Sequence, residues 1–242
     1  MTHSLIVDDR RFIAEAYRSL LVDVGHDVTV QTDPTAVTAA SLREDPPDMA
    51  FVDLSFPDHE LNGLDVLLAL HDEVPQARAV ILTQADAPFQ ELLRCAWDAL
   101  PLAGAISKDL LPADFARAVR ALEAGEVVVD PLIKLYLPAR RRTERTLDAY
   151  GRLMAHAGHA ELWVALATAE DPPDYATLAA QLGKKHNTIK NYRDDLATYL
   201  MAFGMDTGTS LVDLHRFART CRPLLLRAAA PHVRGRVAGG AR

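Results

Sequence analysis

The sequence predicts an α/β protein, a doubly wound parallel sheet of five strands, followed by an all-α region. Three observations carry this reading. Short apolar runs alternate with helical periodicities five times in about the first 125 residues, the pattern of a parallel sheet covered on both faces. The remainder contains helical periodicities only. Charge divides at the same place. Residues 1–130 hold 9 Lys and Arg against 23 Asp and Glu, a balance of −14, whereas residues 131–242 hold 17 against 10, a balance of +7. An acidic half joined to a basic half implies two domains with different partners, and the basic half points to a polyanion.

The elements follow in order. SLIVDD is a buried strand, and IAEAYRSLLVDVG has helical spacing with Gly25 placed to end it. DVTVQT is the second strand, followed by a helix from Pro34 to Arg43 and a break at Pro46-Pro47. DMAFVD is the third strand, LDVLLALHDEV a helix stopped by Pro75, RAVILT the fourth strand and FQELLRCAWDAL its helix. GAISK is the fifth strand, and PADFARAVRALEAG a helix with Pro at its start and Gly at its end.

From Asp130 to Tyr150 a basic run that includes Arg140, Arg141 and Arg142 reads as linker with a short helix. AELWVALATAE is an amphipathic helix, DPPD a sharp break, and YATLAAQLG a second helix closed by Gly183. KKHNTIKNYRDDLATYLMAFGM is a third and SLVDLHRFARTCRPLLL a fourth. The expected organisation is residues 1–125, a linker at 126–157, a helical domain at 158–222 and a basic, disordered tail at 223–242.

Composition excludes several classes. Apolar residues at 49% and charged residues at 24% are ordinary for a soluble globular protein. No run of about 18 uncharged apolar residues exists, so no membrane span or membrane partner is expected. MTHSLIVDDRR lacks the basic start of a secretory signal, and two distant cysteines, Cys95 and Cys221, form no ligand pattern; a cytoplasmic location is expected. His156 and His159 are spaced HxxH, but no cysteine or acid cluster accompanies them in the sequence, and they are not read as a metal site.

The chemistry lies in FVDLSFP, where an apolar strand stops on Asp53. Alone, that aspartate is also what a strand-to-loop turn contains, Asp9 could cap the following helix, and Lys108 could be a solvated strand end. Parallel sheets bind ligands beyond the carboxyl ends of their strands. Asp8 and Asp9 follow strand one, Asp53 ends strand three, Thr83 ends strand four and Lys108 ends strand five, so all five converge on one rim. Three carboxylates this close repel unless a divalent cation joins them, and oxygen-only ligands suit Mg²⁺. Asp53 is then placed to attack a phosphoryl group, with Lys108 neutralising charge and Thr83 hydrogen-bonding a phosphate oxygen.

VDD at 7–9, VDLSFP at 52–57, ILT at 81–83 and SKD at 107–109 resemble the receiver domain of bacterial two-component response regulators. GAISKDLLPADFARAVRALEAGEVVVDP is similar to the NarL/FixJ subgroup. The resemblance implies a flavodoxin-like fold, a sensor histidine kinase that phosphorylates Asp53, and Mg²⁺ held by Asp8, Asp9, Asp53 and the backbone carbonyl of Ser55. Haloacid-dehalogenase-type phosphatases also use an aspartate at a strand end, but their second acid falls on Ser55 here, so a turnover enzyme is not expected.

TLAAQLGKKHNTIKNYRDDL has the helix, glycine turn, helix order of a helix-turn-helix and resembles the LuxR-type DNA-binding domain. Its recognition helix starts near Lys185, with Ile189 and Leu196 facing the core. Lys185, Asn187, Thr188, Lys190, Asn191 and Arg193 then include the groove-facing and phosphate-facing positions, although the lysines also fit a solvated helix face. The resemblance implies a homodimer on double-stranded DNA, regulated by phosphorylation. The alternative is a regulator that binds DNA independently of phosphorylation, because this chain carries Ala105 where the family keeps an aromatic, Gln84 where it keeps a small residue, and Gly63 displaced by about two residues.

Overall fold

The computed structural model describes residues 1–84, 90–138, 146–201, 203–205 and 208–237, with side chains to residue 233. The arginines at 140–142 lie outside them. The chain forms two compact units, Met1–Arg141 and Arg142–Arg242.

The first unit is a parallel sheet in the order β2-β1-β3-β4-β5-β6. β1 is His3–Val7, β2 Asp27–Gln31, β3 Met49–Val52, β4 Arg78–Thr83, β5 Gly104–Ser107 and β6 Val128–Val129. Helices α1 (Arg11–Asp23), α2 (Ala39–Glu44), α3 (Gly63–Glu73), α4 (Gln90–Ala99) and α5 (Pro112–Glu123) alternate with the strands. The order reverses at β1, which puts the switch point between β1 and β3. Every residue of β3 is buried, as the unbroken apolar run requires of a central strand. Tyr17 of α1 meets Phe115 of α5 edge-on at 4.8 Å, and Phe51 of β3 lies 5.6 Å from the same ring, which ties both helices to the central strand.

The first unit departs from the expected elements in two places. A sixth strand, β6, adds to the sheet edge through pairing of Ala105 with Val129, and α6 (Pro131–Lys134) follows it. Two residues of strand are too few to produce a period in the sequence. The helix expected from Pro34 to Arg43 is instead a 3₁₀ turn at Pro34–Ala36 followed by α2. Thr38 accounts for the break: its side chain accepts from the Ser41 amide while Ser41 returns a bond to the Thr38 amide, a capping box that starts a new helix.

The second unit comprises α7 (Leu147–Arg152), α8 (Ala157–Thr168), α9 (Tyr175–Leu182), α10 (His186–Met201), α11 (Leu211–Thr220) and α12 (Arg222–Val237). α8 is not amphipathic as expected. Leu162, Trp163, Ala165, Leu166 and Ala167 are all buried, so it is the central helix around which the unit packs. Trp163 donates its indole N–H to the Leu153 carbonyl at 3.3 Å and lies 5.7 Å from Phe217 of α11, the rings tilted at 60°. The helix expected to run through Leu226 breaks at Cys221, because Pro223 is tolerated only in a first helical turn. The segment expected to be a disordered tail therefore begins as α12, which buries Leu224, Leu225 and Ala229. Composition masked that apolar stripe. No helix among the described residues is long and apolar enough to cross a membrane.

Gly63 is the point where the loop after β3 closes on itself. A Cβ there would lie 2.0 Å from the Asp53 carbonyl oxygen and 2.7 Å from the Leu54 Cα, both rigid backbone atoms. The longer loop thus still returns glycine to Asp53, and Asn62 starts α3 by accepting from the Leu64 amide at 2.9 Å. Gly63→Ala should lower the unfolding free energy by about 3 kcal/mol through overpacking, measured by denaturant titration; an unchanged midpoint would show that the loop moves aside freely.

Candidate functional site

The rim formed by the ends of β1, β3, β4 and β5 brings together the side chains singled out in the sequence. Each backbone position is fixed by the sheet: Asp53 N donates to the Val7 carbonyl at 2.8 Å, and Lys108 N donates to the Thr83 carbonyl at 2.9 Å. Asp8 is fully buried, Asp53 and Thr83 nearly so, and Asp9 is half-buried. Carboxylate oxygens of Asp8, Asp9 and Asp53 all lie within 4.8 Å of one another. Lys108 Nζ sits 2.6 Å from Asp8 Oδ2 and 2.6 Å from Asp53 Oδ2, with its own side chain 2% exposed.

The remaining acceptor sites are partly filled by backbone. Asp8 Oδ1 accepts from the Arg10 amide at 3.0 Å, and Asp53 Oδ1 from the Leu54 amide at 2.8 Å. Ser55, two residues beyond Asp53, is half-buried and donates its amide to the Asp53 carboxylate. Burial pushes the Asp53 carboxyl above its ordinary value of 3.8, more than the Lys108 ammonium pulls it down.

One lysine does not satisfy three acids. Asp8 Oδ2 and Asp53 Oδ2 are buried without a well-aligned hydrogen bond, although both are close to the ammonium. An oxygen-only cluster with surplus negative charge and buried, unsatisfied lone pairs fits a small hard cation such as Mg²⁺.

Two positioning residues were not legible in the sequence. Tyr17 donates its hydroxyl to the Lys108 carbonyl at 3.0 Å, which fixes the backbone from which the ammonium is projected. Its phenol is pushed up to about 12, chiefly by burial and then by Asp109, so it remains a donor throughout the useful pH range. Arg10 donates to Gln84 Oε1 at 2.9 Å, joining the loops that leave β1 and β4, the strands flanking β3. An amphipathic-helix tyrosine and a loop arginine carry no motif; only the fold aims them.

In the second unit, α9, the Gly183 turn and α10 form the helix-turn-helix. Gly183 adopts φ 62°, a left-handed conformation that ends α9, and Lys184 N donates to the Ala179 carbonyl at 2.9 Å. Ile189 and Leu196 are buried as expected. Lys185, Asn187, Lys190 and Asn191 are exposed, while Thr188 and Arg193 are half-buried. Tyr175, unforeseen in the sequence, organises the cluster: Lys190 Nζ and Arg193 Cζ lie 5.7 and 6.0 Å from its ring centroid. The Arg193 guanidinium is further held by Asp194.

The two units thus define a class: a doubly wound α/β domain with an acidic pocket at its switch point, joined to a helix-turn-helix domain. Residues 4–120 match the family of response regulator receiver domains. Within the first unit that match runs from β1 into α5. It is 36% identical over 83 residues to the probable transcriptional regulatory protein TcrX of Mycobacterium tuberculosis, a match that spans 34% of this chain and only 34% of TcrX. A putative transcriptional regulator of Pseudomonas aeruginosa is 26% identical over 222 residues, covering 90% of this chain and 98% of that one. Among solved structures, RcsB from Salmonella enterica serovar Typhimurium, bound to promoter rprA with the phosphomimetic BeF3⁻, aligns over 91% of this chain and 99% of its own, with a TM-score of 0.51. At 19% identity that likeness concerns the fold alone.

The raised Asp53 carboxyl links stability to pH. Its folded-state pKa lies above the unfolded value, so the folded protein binds more protons than the unfolded chain there. The stability from this group is full below the unfolded value and is lost as pH rises through the folded one. Without divalent ions at neutral pH, Asp53→Asn should therefore raise the unfolding free energy and flatten stability against pH in the acid range. Chemical denaturation from pH 4 upward checks both, and a destabilised variant would mean that Lys108 outweighs burial.

Proposed function

We propose that this chain is a DNA-binding transcriptional response regulator that accepts a phosphoryl group on Asp53 from a sensor histidine kinase. The observation that carries the reading is the Lys108 ammonium placed 2.6 Å from both Asp8 and Asp53 in a buried pocket. Asp53, aimed by the Leu54 and Ser55 amides, is the nucleophile: a carboxylate oxygen attacks phosphorus, the bond to the donor imidazole nitrogen breaks, and an acyl phosphate forms. Lys108 exchanges its carboxylate contact for a phosphate oxygen and neutralises it. Thr83, at the adjoining strand end, supplies a hydroxyl to the same group. Asp8, Asp9, Asp53 and the Ser55 carbonyl would hold Mg²⁺, which when bound supplies charge neutralisation for the transferring group. Ser55 stands where a phosphatase of similar fold needs a general acid, which favours a lasting adduct over turnover.

The output is α10 in the major groove of duplex DNA, with Asn187, Lys190 and Asn191 on its exposed face, Lys185 at its start, and Thr188 and Arg193 at its flank. Palindromic sites match a homodimer, and RcsB is a promoter-bound relative in fold. The setting is cytoplasmic, where kinase and DNA meet. A second reading, DNA binding largely independent of phosphorylation, is favoured by Ala105. That residue is fully buried in β5, paired with Ile81 and Val129, and has no ring to exchange between two packings.

Incubation with a small phosphoryl donor and Mg²⁺ should add one phosphoryl group by mass spectrometry, and Asp53→Asn or removal of Mg²⁺ should abolish it. A persisting adduct in that variant would place the acceptor elsewhere. Lys190→Ala should weaken duplex binding across sequences and reduce the slope of log affinity against log salt by about 1, read by fluorescence anisotropy; a salt-independent interaction would exclude the α10 interface. Fluoroberyllate, standing for the phosphoryl group on Asp53, should change DNA affinity by less than about tenfold, roughly 1.4 kcal/mol of coupling. A hundredfold change would mean that an element other than position 105 carries the switch.

A further inference from the structure

The His156-x-x-His159 pair has no acid near it in sequence, but the fold supplies one. His156 is the N-cap of α8 and His159 lies within its first turn, so both project from one helix end. Asp195 of α10 faces them, with Oδ2 3.8 Å from His159 Nε2. The two imidazole centroids are 3.7 Å apart, and one ligand atom from each of the three residues lies within 4.8 Å of the others.

His159 makes this more than a packing cluster. Its side chain is 2% exposed, yet neither ring nitrogen has a hydrogen-bond partner. A histidine serving only to fill space would leave two buried polar atoms unsatisfied where an apolar side chain would leave none. The 3.8 Å separation of His159 Nε2 from Asp195 is too long for a hydrogen bond.

We propose that His156, His159 and Asp195 form a site for a late first-row divalent cation, zinc foremost, that clips the end of α8 to α10. Two imidazoles and one carboxylate are a common three-ligand set for zinc, leaving the fourth position to water. Tetrahedral zinc bonds of about 2.0 Å separate ligand atoms by about 3.3 Å, so a modest approach of Asp195 to His159 completes the geometry. His156 and Asp195 are exposed, which gives the ion a way in. His156 Nδ1 now accepts from the Gly158 amide at 3.1 Å. Coordination through Nε2 needs the proton on Nδ1, so that bond is exchanged for the metal bond, a weak interaction for a strong one. Tyr192, one turn before Asp195, walls the site with its ring 5.1 and 5.4 Å from the two imidazoles. The acidic pocket of the first unit is separate and offers oxygens only.

The test uses the full chain stripped of metal. Co²⁺, standing in for zinc, is expected to bind one equivalent with the intense visible absorption of a four-coordinate site, and zinc should abolish it. Asp195→Asn, at a largely exposed position that folding tolerates, and His159→Gln should each weaken binding by at least about tenfold, the effect of losing even an outer-shell partner. Asp8→Asn, in the other pocket, should leave the spectrum unchanged. Zinc should raise the melting temperature of the wild type and of Asp8→Asn, but not of Asp195→Asn. Absence of the cobalt spectrum, equal affinity in wild type and Asp195→Asn, or loss of the spectrum in Asp8→Asn would each overturn the assignment.

Discussion

The Lys108 ammonium between Asp8 and Asp53 is the contact on which the first unit's acidic pocket depends. Its stem is buried, so it cannot be replaced by solvent, and its backbone is fixed from two sides, by the Thr83 carbonyl and by the Tyr17 hydroxyl. Strand register places the charges; the lysine makes their proximity tolerable. A site with more acids than bases in low dielectric is held by the packing around it rather than by its own electrostatics. The aromatic contacts joining α1, α5 and β3 keep that rim rigid.

Much of this was legible in the sequence because parallel sheets write their site positions into strand ends. Asp8, Asp53, Thr83 and Lys108 each close an apolar run, and a right-handed alternation of strand and helix leaves one rim for all of them. What was not legible depended on side-chain direction or on tertiary context. Tyr17 lies on an ordinary helix and reveals its role only when α1 packs beside α5. The stretch from Pro34 looked like one helix because its apolar spacing is continuous, yet Thr38 and Ser41 cap each other and divide it.

The helical unit shows the same division. Gly183 marked the turn, and Ile189 and Leu196 marked the buried face of α10. The central position of α8 was hidden because Glu161 and Glu170, at the two ends of AELWVALATAE, suggested a polar face on a helix that is apolar all round. Asp195 was assigned no role because sequence distance separates it from the histidines by about ten helical turns of chain. Tyr175 is the clearest example of context: it caps nothing, but two cations gather over its ring and so face the same way.

The hydrogen bond between Arg10 and Gln84 has a kinetic implication for the acidic pocket. It connects the loops on either side of β3 with exposed side chains, and a solvated bond of this kind is worth about 1 kcal/mol. At that strength the link is broken roughly one part in six of the time, and side-chain rotation remakes it in nanoseconds. Such a latch is a revolving door, not a lock: it sorts visitors by how briefly they can wait, without setting a threshold of energy for admission.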